Sequence, residues 1–379
     1  MSGFRREAFP MLAGCTYLNS CSTGAFPVGM RAALDAHWAT LSEWRDEVWA
    51  SWWPAWLAFA DELAAFLGAP SGSVVTGPNA SALVARLSTA VDFAPGKDEV
   101  VLTELAFPSA PFLWRAHGRR GAKLVRVPAE RGAVEPARLL EAIGPRTRLV
   151  QVSHGAFRSG AVLPLEALVT RCREVDALLV VDAYQTLGTM PMDVTELGVD
   201  VVLGGAHKWL CGALDLGFMY VRPEVAEALE PTATGWVAGD EPLRFEESAG
   251  FAAGARRFAA GTPAVLPCLS SKPGLAIVRE VGVARIRAQS LRQTGRLRAA
   301  AEALGAEVFT PAAPEARGGV VSFSFGEAED AAIFDALRAR GFVFSVRRGL
   351  RVAPHFYNTD DEIEAFTDAL EEVVREQRA

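Results

Sequence analysis

The sequence predicts an α/β protein with a mostly parallel central sheet, plus a smaller α+β domain at the C-terminal end. Between Glu99 and Arg222, short apolar runs of strand length alternate with segments in which apolar residues recur every three or four positions. This alternation is typical of a parallel sheet covered by helices on both faces. After Pro263 the pattern changes to long helical stretches separated by a few extended runs. In parallel sheets ligands bind beyond the carboxyl ends of the strands, so we look for a site there.

The strands predicted for the large domain are short runs of mainly apolar residues, typical of strands that are buried on both faces. They are Glu99–Leu102, Lys123–Val127, Leu149–Ser153, Leu178–Asp182, Val199–Leu203 and Gly217–Val221. Between them, Pro136–Ile143 and Leu165–Glu174 have helical spacing.

The C-terminal part predicts helices and strands in a different order. The predicted elements are a long helical stretch Gly274–Leu304, a strand Gly319–Phe325, a helix Asp330–Arg340, an extended run Val343–Ala353 and a final helix that begins near Thr359. Thr359 offers a capping oxygen for that last helix, and the acidic residues after it suit a helix N-terminus. We predict a large domain over residues 17–265 and a small domain over residues 266–379, on which residues 1–16 pack.

Composition and charge exclude several classes of protein. The net charge of −7 and the lack of a concentrated basic face argue against a nucleic-acid-binding role. We interpret the arginine-rich stretch Ala284–Arg298 as the solvated face of a helix rather than a binding surface. Residues Met1–Gly14 do not resemble a secretory signal, and no apolar run has the roughly 18 to 20 residues that a membrane span needs. The five scattered cysteines fit free thiols in the cytoplasm and show no metal-binding spacing.

The segment Trp38–Trp56 holds six of the nine tryptophans. We interpret it as helix faces that pack into the core or against a second subunit, with a substrate pocket as the alternative.

Lys208 is the first candidate for chemistry. It follows the apolar run VDVVLGGAH and precedes WLCGALDLGFMY, so both flanks are predicted to be buried. A buried ammonium group is costly unless it is paired or chemically used, and a desolvated lysine with a lowered pKa is suited to forming a Schiff base. The alternative is a lysine whose charged end reaches out to solvent.

Asp182 is the second candidate, because it ends the buried run ALLVVD. A bare carboxylate there needs a partner, and the protonated nitrogen of a pyridine ring is one that would make the ring an electron sink. The alternative is an aspartate that caps the following turn. Lys208 lies one connection and one strand further along the chain, so both side chains are expected at the same edge of the sheet.

Three further segments offer binding groups. The segment VVTGPNASALVARL predicts a strand, a turn and a helix that opens at Asn79, Ala80 and Ser81, where backbone N–H groups and the Ser81 hydroxyl suit a phosphate. Phe107 follows another strand and would stack on a flat ring, although it also fits the core. Arg351 has the planar group that pairs with a substrate carboxylate, with a surface salt bridge as its alternative.

Taken in order, eight segments resemble the class V aminotransferase-like group of pyridoxal-phosphate enzymes of fold type I, and within it the kynureninase-like branch. This group includes kynureninases, cysteine desulfurases, selenocysteine lyases and isopenicillin N epimerase-like proteins. The segments span nearly the whole chain: YLNSCSTGAFP, TGPNASAL, TELAFPS, VSHGAFRSG, VVDAYQTLG, GGAHKWLCG, RFAAGTPA and LRVAPHFYNT. The resemblance implies pyridoxal 5'-phosphate as the cofactor and no metal.

The resemblance also implies a role for individual residues. Lys208 matches the Schiff-base lysine and Asp182 the partner of the ring nitrogen. The other implied cofactor contacts are Gln185 at the ring hydroxyl, Phe107 on the ring face, and Ala80, Ser81, His207 and, from the second subunit of a homodimer, Thr262 at the phosphate. The implied substrate contacts are Arg351 at the carboxylate, His154 near the cofactor, and Asn19 and Ser20 at the substrate entrance.

Departures from the family pattern narrow the expected activity. Gly205 stands where many relatives carry a serine or threonine that binds the phosphate, which predicts weaker phosphate binding. The region FSVRRGLRVAP lacks the cysteine that desulfurases need. His207 replaces the tyrosine that kynureninases typically have before the lysine, and the asparagine expected near Thr262 is missing.

We therefore predict a lyase that acts on a β-substituted amino acid through a Schiff base (aldimine) with Lys208, by C–S or Cβ–Cγ cleavage. The alternatives are a class V aminotransferase, an epimerase or decarboxylating enzyme, and a catalytically silent scaffold. The expected partners are a small amino-acid substrate and a second copy of the chain, with neither nucleic acid nor membrane.

Overall fold

The structure is a computed structural model that describes residues 4–43, 48–247 and 249–379. Its strands are β1 (Thr16–Tyr17), β2 (Val74–Gly77), β3 (Glu99–Thr103), β4 (Lys123–Val127), β5 (Thr147–Ser153), β6 (Leu178–Asp182), β7 (Val201–Gly205), β8 (Gly217–Val221), β9 (Glu307–Val308), β10 (Val321–Ser324), β11 (Phe342–Val343), β12 (Ser345–Val346) and β13 (Leu350–Val352). Its α-helices are α1 (Val28–Ser42), α2 (Val48–Phe66), α3 (Ala80–Thr89), α4 (Ser109–Ala116), α5 (Pro136–Glu141), α6 (Leu165–Glu174), α7 (Val194–Leu197), α8 (Pro223–Ala228), α9 (Val265–Val281), α10 (Val283–Ala303), α11 (Glu327–Ala339) and α12 (Asp360–Arg378).

Seven strands form the central sheet in the order β2-β8-β7-β6-β5-β3-β4. The five strands from β7 to β4 are parallel, and β8 runs antiparallel between β7 and β2. The predicted α/β class with a mostly parallel sheet is therefore confirmed. Strand β7 continues through Gly204 and Gly205, because both glycines pair with β8.

The C-terminal part folds as helices against a small antiparallel sheet in the order β12-β13-β10-β9. The predicted helical stretch Gly274–Leu304 is two helices, α9 and α10, because Gly282 takes a left-handed φ of 85° between them. The predicted run Val343–Ala353 is interrupted by a turn in which Arg348 and Gly349 also have positive φ. The final helix begins where the sequence predicts, with Thr359 as its N-cap.

Two large groups of buried apolar side chains fill the molecule. One surrounds the central sheet and includes residues of α9, and the other lies between the small sheet and helices α10, α11 and α12. Residues near the N-terminus join the C-terminal part, because β1 pairs with β11 and Phe9 packs on Phe356 and Tyr357. The boundary between residues 265 and 266 stays a prediction.

The two segments singled out for composition lie on helices. Arg285, Arg292 and Arg296 on α10 are exposed, as expected for a solvated face. In the tryptophan-rich segment, Trp56 is buried and donates to Thr76 Oγ1 at 2.6 Å, whereas Trp38 is 73% exposed. Trp44 lies outside the described residues.

Over the described residues, none of the helices combines the length and the apolar character needed to cross a membrane.

The N-terminus of α12 carries a testable stability contribution. Thr359 Oγ1 accepts from the Glu362 backbone N–H at 3.1 Å, and Glu362 Oε2 accepts from the Thr359 N–H at 3.0 Å. Replacing an N-cap threonine with alanine usually costs about 1 kcal/mol, so Thr359→Ala should lower the free energy of unfolding in urea by about that amount. The matched control is Thr367→Ala within the same helix, which should be nearly neutral because alanine favours helix. Equal losses in both variants would contradict the capping role.

Candidate functional site

Lys208 and Asp182 face one cavity at the carboxyl edge of the central sheet. Asp182 is the last residue of β6, and Lys208 follows β7 after Ala206 and His207. Strands β6 and β7 are neighbours and parallel, so their carboxyl ends meet at the same edge. The cavity has a volume of about 280 Å³ and is lined by both residues together with Asn79, Ala80, Ser81, Phe107, Ser109, Phe157, Tyr184, Gln185, His207 and neighbouring positions.

Burial shifts both titratable groups towards their neutral forms. Desolvation lowers the pKa of Lys208, opposed by the nearby Asp182 carboxylate, while the Arg351 charge lowers it further. Desolvation raises the pKa of Asp182, opposed by the Tyr184 backbone N–H, which donates to Asp182 Oδ1 at 3.0 Å, and by Lys208. A cationic ring nitrogen beside Asp182 would supply the opposite charge that this buried carboxylate needs.

Lys208 differs from the other lysines in its contacts. The chain has four lysines. Lys97 donates to the Val175 carbonyl, Lys123 pairs with Asp98 at 2.7 Å, and Lys272 pairs with Glu62 at 3.0 Å. In the described part of the chain, Lys208 Nζ makes neither a hydrogen bond nor an ion pair, and it lies 4.8 Å from the centroid of the Tyr184 ring. Its amine is therefore available for covalent chemistry.

The N-terminus of α3 forms one end of the cavity. Asn79 caps the helix by accepting from the Ala82 N–H at 2.8 Å, and Ala80 and Ser81 begin the helix. The Ser81 hydroxyl lies 2.8 Å from the Ser109 hydroxyl. Since a helix N-terminus presents free N–H groups and a partial positive charge, this end suits a phosphate.

Gln185 and Phe107 line the cavity, and both already make contacts within the protein. The Gln185 amide already donates to the Cys21 carbonyl at 3.0 Å and accepts from Trp209 Nε1 at 3.2 Å. One amide N–H remains for a ligand. Phe107 is 44% exposed and makes an edge contact with Phe157, with ring centroids 5.3 Å apart.

Arg351 is a buried cation on β13, with 3% of its surface exposed. Its Nε atom has no hydrogen-bond partner, and within the described ranges no carboxylate forms an ion pair with it. Its charge reaches Lys208, since it contributes to lowering the pKa of that residue. A buried guanidinium without a counter-ion is a candidate site for an anionic ligand.

Five predicted residues do not line this cavity: Arg351, described above, and four others. His154 is buried, has Nδ1 2.9 Å from Thr186 Oγ1, and lines a separate, larger cleft of about 1280 Å³ that contains neither Lys208 nor Asp182. Ser20 is buried, with its hydroxyl 2.6 Å from that of Tyr357. Asn19 pairs through its backbone with Ala353, and Thr262 is exposed in the turn before α9. The roles implied for these four residues stay predictions.

Sequence reasoning missed several residues of the site, of which Tyr184 and Gly24 are the most informative. Tyr184 stands between Asp182 and Gln185 in VVDAYQTLG, so its place beside two candidates was the available signal. The Gly24 N–H donates to the His207 carbonyl at 2.7 Å, and a Cβ at Gly24 would collide with the Lys208 carbonyl oxygen. Glycine at this position lets the segment STGAFP lie directly against the backbone of Lys208.

The residues fit the cofactor that the resemblance implies. The cavity combines an anion-binding helix N-terminus, a buried carboxylate, a lysine with a lowered pKa and an aromatic edge at Phe107. A flat ring with a basic nitrogen, an aldehyde and a phosphate needs these four groups.

Comparison with protein families and curated proteins gives a consistent result. The family model "Aminotransferase class-V" matches residues 59–366. The chain is 31% identical to the uncharacterized aminotransferase YcbU of Bacillus subtilis (strain 168), over 96% of each chain. It is 29% identical to the isopenicillin N epimerase of Streptomyces clavuligerus, over 95% of each chain.

The fold also matches solved structures. The complex of the cystine C–S lyase C-DES with its reaction product cysteine persulfide superposes with a TM-score of 0.86 at 24% identity, covering 96% of this chain and 98% of that one.

Three histidines with lowered pKa values predict a pH dependence of stability. Desolvation lowers the pKa of His154 and His207 to about 4 and that of His355 to about 3, from 6.5. Between pH 6.5 and about 4 these side chains bind fewer protons in the folded state than in the unfolded state, so stability rises with pH. Asp182, with its raised pKa, acts in the opposite sense but is a single group.

Urea unfolding of the cofactor-free protein should therefore show a free energy of unfolding that falls steadily from pH 7 to pH 4. In His154→Gln the slope should decrease by up to about 1.4 kcal/mol per pH unit, because one titrating group is removed. A flat profile, or one that rises towards pH 4, would show that these histidines are not buried in their neutral form.

Proposed function

As a member of the class-V aminotransferase family, this chain is a pyridoxal-phosphate-dependent enzyme, and we propose that it is a lyase that acts on a β-substituted amino acid. The single observation that carries the substrate class is Arg351, which is buried, has no ion-pair partner in the described ranges and carries a charge that acts on Lys208. An amino acid brings the carboxylate that Arg351 lacks, and it places its amine and Cα towards the lysine.

In this proposal each residue of the site contacts a different part of the cofactor. Lys208 attaches it covalently, Asp182 pairs with its ring nitrogen, and Phe107 stacks on the ring. The free N–H of Gln185 bonds the ring hydroxyl. The N-terminus of α3, with Ala80 and Ser81, and the neutral His207 hold the phosphate, and Thr262 is contributed by a second subunit.

When bound, pyridoxal phosphate supplies an electron sink that stabilises negative charge at the substrate Cα. The lowered pKa of Lys208 leaves a larger fraction of neutral amine at neutral pH, which suits it to take the proton from Cα once it is displaced from the cofactor. Arg351 orients the carboxylate, and the STGAFP segment around Gly24 packs against the backbone of Lys208 and helps to fix its position.

Loss of a group from Cβ is favoured over sulfur transfer to the protein. The segment FSVRRGLRVAP before and around Arg351 contains no cysteine to accept sulfur. The C–S lyase C-DES shares the fold, which supports a cleavage reaction by analogy. Amino transfer is the second candidate, supported by the likeness to the aminotransferase YcbU, and it uses the same Lys208, Asp182 and Arg351.

We also propose a homodimer with active sites at the interface. Trp38, Phe107 and Phe112 are large apolar side chains that are exposed in the single chain. Thr262 is exposed as well, and it lies outside the cavity formed by its own chain. A second subunit would cover such surfaces and bring Thr262 to the phosphate.

The products distinguish the two candidate reactions. With a β-substituted amino acid such as a cysteine conjugate, a lyase releases ammonia and a pyruvate-like oxo acid continuously without any acceptor. An aminotransferase stops after about one turnover per site until an oxo acid is added. We expect continuous ammonia release, measured with a coupled assay; a burst that resumes only on adding an oxo acid would reject the lyase.

Two variants control that assay. Lys208→Ala should abolish turnover, because both cofactor attachment and the Cα base are lost. Arg351→Gln should raise KM for the amino acid by about tenfold or more, since it removes a charged hydrogen-bond pair. The matched control is Arg347→Gln in the neighbouring turn, where the guanidinium is exposed and bonds only a local carbonyl, and its KM should be unchanged.

Sedimentation tests the dimer directly. The cofactor-loaded enzyme should sediment as a species of twice the chain mass. Thr262→Ala should weaken cofactor binding, whereas the variant should still sediment as a dimer. A fully active, cofactor-loaded monomer would overturn this part of the proposal.

A further inference from the structure

Three glycines form a row across the sheet at the edge of the cavity. Gly205 on β7 lies opposite Gly217 on β8, and Gly217 lies opposite Gly77 on β2. Directly opposed residues of antiparallel strands project to the same face of the sheet. The places where their side chains would be are therefore neighbours on one face, about 5 Å apart.

Helix α3 covers two of these three positions. A Cβ at Gly217 would lie 2.6 Å from the Ala80 backbone nitrogen, and a Cβ at Gly77 would lie 2.9 Å from the Leu83 side chain. The absence of side chains at Gly77 and Gly217 lets the N-terminus of α3 sit directly on the sheet. This is the helix end that carries the free N–H groups.

Tyr184 covers the third position. A Cβ at Gly205 would overlap the Tyr184 hydroxyl oxygen and the ring carbon that bears it. The hydroxyl therefore occupies the place of a side chain at position 205, on the face of the sheet that α3 covers at the neighbouring Gly217. From the sequence, glycine at position 205 predicted weaker phosphate binding. In the structure, the Tyr184 hydroxyl occupies the space that a polar side chain at this position would take.

The Tyr184 hydroxyl is poorly satisfied by the protein. Its hydrogen-bond partner among the described residues is His207 Nδ1, at a long 3.5 Å, and the two rings are tilted with centroids 5.5 Å apart. Burial raises the pKa of Tyr184 and lowers that of His207 to about 4, so the phenol keeps its proton and the imidazole is neutral. The hydroxyl thus keeps a proton that it can donate to a ligand, and Tyr184 lines the cavity together with Ser81 and His207.

We propose that the Tyr184 hydroxyl is a phosphate donor that replaces the missing side chain at position 205. The Tyr184 hydroxyl lies over Gly205 and the N-terminus of α3 lies over the neighbouring Gly217, so both would donate to the phosphate from the same face of the sheet. The inference rests on the proposed cofactor site, and it adds to that site a donor and a reason for glycine at position 205.

The test compares two ligands that differ only in the phosphate. Tyr184→Phe keeps the ring and removes the hydroxyl. In the cofactor-free protein, the Kd for pyridoxal phosphate should rise tenfold or more, because a hydrogen bond to a charged group is lost, while the Kd for pyridoxal should not change. Equilibrium dialysis measures both without any turnover. Tyr220→Phe, which removes the hydroxyl of a buried tyrosine on β8, is the matched control and should alter neither Kd.

Other results contradict the proposal. If Tyr184→Phe weakens both ligands equally, the hydroxyl acts on the ring or on Lys208 and not on the phosphate. If it weakens neither, the hydroxyl has no binding role. A wild-type protein that binds no pyridoxal phosphate would overturn the proposed function itself, so the two failures are distinguishable.

A swap variant tests the geometry independently. Gly205→Ser alone should weaken pyridoxal phosphate binding, because the new Cβ collides with Tyr184. In the Tyr184→Ala background, the same change should regain most of the lost affinity by placing a hydroxyl in the vacated position. No gain in that background would show that position 205 does not face the phosphate.

Discussion

The candidate site depends on Asp182 and Lys208, an acid and a base that are desolvated at the ends of two neighbouring parallel strands. The Asp182 carboxylate is the main group that favours the charged form of Lys208, whereas the Tyr184 backbone N–H, and after it Lys208, favours the charged form of Asp182. Among the described residues neither forms an ion pair, so the two groups accommodate a ligand that is cationic towards Asp182 and electrophilic towards Lys208. The parallel sheet is what brings them together, because β6 and β7 end at the same edge.

The other elements of the site are arranged around this pair. Glycine at positions 77 and 217 lets α3 approach the sheet and aim its N-terminus into the cavity. Glycine at position 24 lets the N-terminal STGAFP segment lie against Lys208. Arg351 enters from the C-terminal part, with its charge unpaired within the described residues. Three separate parts of the chain thus meet at this pair: α3 contributes a helix dipole, Arg351 contributes a charge, and the STGAFP segment contributes a backbone contact.

Local patterns were enough to predict much of this architecture. The apolar runs located β4, β6 and β8 to the residue, and helical spacing located α6, since apolar residues in short runs or at helical spacing leave a clear signal. The boundary between α9 and α10 at Gly282 was not predicted, because the apolar residues keep helical spacing on both sides of it. The antiparallel direction of β8 could not be predicted either, because a buried strand is a run of apolar residues whichever way it pairs with its neighbours.

For the candidate site, the sequence predicted which residues are near the cavity better than which way they point. Lys208, Asp182, Gln185 and His207 line it as expected, because strand ends determine their position. His154 also follows a strand end, yet it bonds Thr186 and lines a different cleft. The partners that orient such side chains lie far away in sequence. Tyr184 was missed for the same reason, since its role depends on Gly205 across the sheet.

The central claim is that Lys208 alone among four lysines carries the cofactor. The most direct measurement is borohydride reduction of the cofactor-loaded protein, followed by proteolysis and mass spectrometry of the lysine-containing peptides. The account predicts a reduced pyridoxal-phosphate adduct on the peptide containing Lys208, and none on those containing Lys97, Lys123 or Lys272. An adduct distributed over the other three lysines, or no adduct at Lys208, would contradict it.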